Sequence, residues 1–158
     1  MHLSQEQINA VMLRATRETF LGANDEEGAF LRKQDLGLLP LMRLITAADA
    51  SQIIAGTTIA AHVSHIIICL DNFIATIEGE APRYEEWKES LSKSQVDEAE
   101  WQVLREELEI RMNKLMRIPE SSLRDAARLW AAFGILTHNA YHLGAIQVKL
   151  EQLRSQAL

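Results

Sequence analysis

Four of the five histidines in this chain fall in two apolar stretches: His62 and His65 in "AAHVSHIIIC", His138 and His142 in "THNAYHLGAI". His138 and His142 are four residues apart. On a helix that spacing separates two side chains by about 40° in projection and roughly 6 Å along the axis, so both imidazoles can turn toward one ion. A third donor from a facing helix would complete a metal site with open positions for water or substrate, as catalytic metal sites require. The competing reading is a tight helix seam, with each neutral imidazole hydrogen-bonded to a backbone carbonyl or another side chain.

The neighbours favour the cluster. Ala127, Ala131, Gly134, His138, His142 and Ala145 fall on one helical stripe, and small residues beside two imidazoles leave room for close packing or a cavity. Helix periodicity places His62 about 60° from the centre of its helix's apolar stripe and His65 about 120° from it, so by that argument His62 points further inward. Cys69 follows His65 by one turn, which permits a mixed nitrogen–sulfur site; its simpler role is that of a small buried hydrophobe. Asn72 continues the same line as a polar group able to line a pocket. Tyr141 is placed to reach a substrate or to pack with its hydroxyl at the rim.

The elements that must hold these residues are helical. Ser4 and Gln7 have capping-box spacing before Ile8, Val11, Met12 and Ala15. The segment "LGLLPLMRLI" reads as a short helix within a crossover, because Gly37 and Pro40 break anything longer. A second long helix opens at Gly56 with Thr57 or Thr58 and runs to about Gly79, with Ile59, Val63, Ile66, Leu70, Phe73 and Ile77 as its stripe. The connector "EGEAPRYEEWKESLSKS" has room for a helical turn around Trp87. A third helix begins near "VDEAEW" and carries Trp101, Leu104, Leu108, Met112 and Leu115 toward Pro119. The fourth starts at "SSLRD", with Ser122 and Asp125 at capping-box spacing, and runs to about residue 155. No stretch alternates with period two, so the fold class is all-α: a four-helix bundle with crossover connections, a single domain spanning 1–158.

Composition narrows the partners. Of the 158 residues 47% are hydrophobic and 24% charged, with a net charge of −6. Without a basic block nothing is arranged to neutralise phosphates, which argues against nucleic acid. Cys69 is the only cysteine, which excludes an intrachain disulfide and fits a reducing compartment. The charged N-terminus is unlike a signal peptide, and the charge-free part of the most apolar run is short for a membrane span. The expectation is a cytoplasmic protein that does not engage a membrane. No Glu-x-x-His pair is present, so a di-iron carboxylate site is not encoded.

The wording "TTIAAHVSHIIICLDNFIATIEGE", a tryptophan-containing connector and then "THNAYHLGAI" resembles the DinB-like superfamily of bacterial four-helix proteins, over roughly residues 36–150. The resemblance implies an up-down-down-up bundle, commonly a homodimer, with a divalent metal (nickel or zinc) on three histidines. Carried over by position, His138 and His142 match the pair on the last helix. The remaining ligand falls seven residues after the Ser or Thr that opens its helix, which from Thr58 is His65, followed by Ile66. His62 is the extra histidine some members carry one turn earlier, and it stands as the alternative ligand that replaces or supports His65.

Related members include bacillithiol S-transferases and mycothiol-dependent maleylpyruvate isomerases. The resemblance therefore implies a metal-dependent enzyme of the thiol-transferase type, or a related hydrolase, acting on a small molecule or a low-molecular-weight thiol. The alternative it allows is a non-catalytic metal- or ligand-binding stress-response bundle. Members often carry an arginine after "HLGAI", where this chain has Gln147.

Overall fold

The computed structural model describes residues 4–23, 28–82 and 94–156. Among them are six α-helices, four of them long, and no strand: α1 (Gln5–Leu21), α2 (Leu38–Met42), α3 (Ala47–Ala50), α4 (Ile59–Glu78), α5 (Glu98–Met116) and α6 (Ala126–Gln156). His2 and the expected helical turn around Trp87 lie outside the described residues.

Local chemistry accounts for the boundaries. Ser4 accepts from the Gln7 backbone while the Gln7 side chain accepts from Ser4, the expected capping box. Asp97 and Glu100 do the same for α5. Thr58 caps α4, and Gly56 belongs to the tight turn before it, where Ala55 and Gly56 both have positive φ. At α6 the expectation needs correcting. Asp125 itself accepts from the Arg128 and Leu129 amides, while Ser122 lies in a 3-10 turn, Glu120–Ser122. The Asp125 carboxylate takes the Arg128 amide while its backbone carbonyl takes Leu129, so Asp125 is the cap and Ser122 lies before it.

The expected stripe of α5 is the buried one: Trp101, Leu104, Leu108, Met112 and Leu115. The Trp101 indole donates to the Ile45 carbonyl at 2.8 Å, which fixes the crossover segment against α5. On α4, Ile59, Val63, Ile66, Leu70 and Ile77 are buried as expected; Phe73 is only half-buried and Ile74 takes the core position. α4 is long and apolar enough to cross a membrane by length and composition, and 56% of its most apolar window is buried inside the protein.

The first helix departs most from expectation. Ile8 and Val11 are exposed, and its buried residues are Asn9, Thr16, Glu18, Thr19 and Phe20. Periodicity fails because the polar residues bring their own partners, which removes the penalty of burying them. The Asn9 amide donates to the Glu120 carbonyl at 2.9 Å, tying α1 to the turn before α6. Thr16 and Thr19 return their hydroxyls to the helix's own carbonyls.

Glu18 accepts from the amides of Ala29, Phe30 and Leu31 at 2.7, 3.1 and 2.7 Å. Burial alone would raise its pKa, but those three bonds together outweigh burial and hold the carboxyl below its ordinary value. Glu18→Ala leaves the three amides without that acceptor and is expected to destabilise the protein by about 2–3 kcal/mol, readable as a lowered urea midpoint. An unchanged midpoint would mean that water replaces the carboxylate at no cost.

The site depends on how α6 sits. It packs most extensively along α4 and also against α1, and α4 packs in turn on α5. Gly134 makes the α4–α6 approach close, since a Cβ there would stand 2.8 Å from the Phe73 ring. At this level the small-residue stripe is a tight seam. Four residues further along α6 the seam reaches the histidines.

Candidate metal centre

All four histidines of α4 and α6 meet in one cluster. The His65 ring lies 5.0 Å from His138 and 5.1 Å from His142, centroid to centroid, and His138 and His142 are 4.4 Å apart. His62 joins from the other side, 5.0 Å from His142. The two α4 histidines take different positions. His62 is the more buried of the pair, at 7% exposed, while His65 is half-buried at the border of the apolar face.

The contacts run as a chain. His62 Nδ1 lies 2.7 Å from His142 Nδ1, and His142 Nε2 lies 3.1 Å from His138 Nε2. Each neutral imidazole carries one N–H and one lone pair. With one proton per ring, both bonds form only if all three rings point the same way along the chain, and either direction ends at the same two atoms. Those atoms are His62 Nε2, which is buried with no hydrogen-bond partner among the described residues, and His138 Nδ1, on a ring that also has a side-chain hydrogen bond with Asn139. An unmatched buried polar atom costs about 1–3 kcal/mol, so His62 Nε2 marks a place where the seam is not self-sufficient.

Burial sets the charge state. His142 is pushed down to about 3 by burial first, then by the neighbouring His138, His62 and His65. His62 falls to about 4 through burial, Lys149 and His65, and His138 to about 4 through burial and His65. Burial lowers His65 as well. The cluster is therefore neutral at pH 7, the state a metal ligand needs.

Donor spacing supports a shared ion. Two nitrogens on one zinc, each at about 2.0–2.1 Å, sit roughly 3.1–3.4 Å apart for angles near tetrahedral; His138 Nε2 and His142 Nε2 are 3.1 Å apart. Cys69, read from sequence chiefly as a small hydrophobe, is buried but lies beside His65, its Sγ 3.5 Å from His65 Nε2. His65, Cys69 and His138 offer ligand atoms all within 4.8 Å of one another, a group that could hold a metal ion.

The neighbours divide less evenly. Tyr141 is largely exposed, its ring edge-on to His142 at 5.0 Å. The Asn72 amide donates to the Ile68 carbonyl of its own helix at 3.1 Å. Sequence reasoning missed Lys149, which is buried at 5% exposed and donates to the Ile54 and Thr57 carbonyls. It holds the turn that starts α4 against α6, and so helps set the height of His62 and His65 relative to His142. The available signal was its position, seven residues after His142 on the same helix face. Asn139 was also missed; it is fully buried beside His138, and its side-chain hydrogen bond to that ring works against the lowering by burial.

Comparison with family models, with curated proteins and with solved structures finds no match for this chain.

Proposed function

We propose that this chain is a DinB-like, up-down-down-up helical protein holding one divalent ion, nickel or zinc, on His65, His138 and His142, and that it is an enzyme of the thiol-transferase type. The observation that carries the metal reading is the convergence of three imidazoles from α4 and α6, two of them with Nε2 atoms 3.1 Å apart. The resemblance of the two histidine motifs supplies the reaction class. A divalent ion in this position supplies the means to bind a thiol sulfur and lower its pKa, giving thiolate near neutrality.

The remaining work falls to the chain's own groups. His62, through its contact with His142 Nδ1, orients that ring and leaves Nε2 turned toward His138. Burial between α4 and α6 keeps the imidazoles neutral, while His65 is half-buried.

The test is a panel of low-molecular-weight thiols with electrophilic acceptors, run on metal-loaded protein. Thiol consumption that disappears in His138→Ala is the expected result. A bound ion with no turnover of any pair contradicts the enzyme reading. One observation favours a second reading, a non-catalytic metal-binding bundle: Cys69 joins His65 and His138 in one group of ligand atoms within 4.8 Å of one another, and sites filled by protein donors are characteristically structural.

A further inference from the structure

Cys69 has two properties that a packing residue does not need. Its sulfur lies 3.5 Å from His65 Nε2, and it belongs with His65 and His138 to a group of donors within 4.8 Å. Sulfur at about 2.3 Å and nitrogen at about 2.05 Å from one tetrahedral zinc would be roughly 3.6 Å apart. The sulfur–nitrogen pair on α4 and the nitrogen–nitrogen pair on α6 therefore both have the separation of donors sharing an ion. The α-helix produces this by register alone, since His65 and Cys69 stand one turn apart on α4 as His138 and His142 do on α6.

We propose that Cys69 is a fourth donor to the ion held by the histidines, so that the resting centre is three imidazoles and one protein thiolate. The inference rests on the metal reading above and goes beyond it by assigning the position that reading leaves open. On ligation the Sγ–H bond breaks, an Sγ–metal bond forms and the proton leaves to solvent; no oxidant or reductant is involved. A thiolate makes the donor set softer and selects zinc over harder divalent ions. It also defines how an external thiol would enter: its sulfur would replace Cys69 at one coordination position, and its proton would pass to the displaced Cys69 sulfur.

Cobalt(II) titration tests this without relying on activity. Wild-type protein is expected to take up one cobalt per chain and develop a near-ultraviolet thiolate-to-cobalt charge-transfer band. Cys69→Ser is expected to bind one cobalt, shown by its visible absorption, and to lack that band. Cobalt bound to the wild type without the band overturns the role of Cys69 and leaves the histidine site standing. Failure of the wild type to bind cobalt, nickel or zinc overturns the metal reading and this inference together.

Discussion

Between pH 7 and pH 5 the metal-free protein is expected to lose on the order of 4 kcal/mol of stability through His62 and His142 alone. An unfolded histidine titrates near 6.5, whereas burial and mutual repulsion hold these two near 4 and 3 in the fold. Below 6.5 the unfolded chain takes up protons that the native cluster refuses, so stability is complete above that value. It is lost as pH falls toward the native values, at about 1.4 kcal/mol per pH unit for each histidine. Urea unfolding at pH 7, 6 and 5 measures this, and His142→Gln should flatten the slope by one histidine's share. A stability that is level across the range would mean the cluster is open to water. The same burial keeps the imidazoles available to a metal below the pH of about 6 at which ordinary histidines would begin to release it.

Substituting the cluster one residue at a time should separate ligands from supports. His142→Ala is expected to reduce zinc affinity more than about 100-fold, because it removes a donor and breaks both contacts in the imidazole chain. His62→Ala should cost about 10–100-fold while one-to-one binding persists, the effect of losing a group that orients a ligand. Competition against a chelator of known affinity reads both. If His62→Ala abolishes binding and His65→Ala leaves it intact, the roles assigned to these two residues are reversed.

Much of this arrangement was legible from residue spacing. Ser4 with Gln7, Thr58, and the stripe from Trp101 to Leu115 announce helix starts and a buried face through chemistry local to a few residues. The proximity of His138 to His142 follows from one turn of helix. What sequence conceals depends on distant partners. α1 buries Asn9 instead of Ile8 and Val11 because the carbonyl of Glu120 receives its amide, and no helical period encodes a carbonyl more than 100 positions away. Lys149 is hidden for the same reason: its acceptors belong to the turn at Ile54 and Thr57. Periodicity correctly ranked His62 as the more buried histidine, yet burial and ligation are different properties. His65 reaches both α6 histidines from the border of the apolar face.

The central claim is that the histidines between α4 and α6 hold one divalent ion. Metal analysis of the purified protein after loading with nickel, zinc and manganese in turn, compared with His138→Ala, tests it most directly. One ion per wild-type chain, absent from the variant, is the predicted result. Wild-type protein that retains none of the three metals, or a His138→Ala variant that keeps its ion, would contradict it.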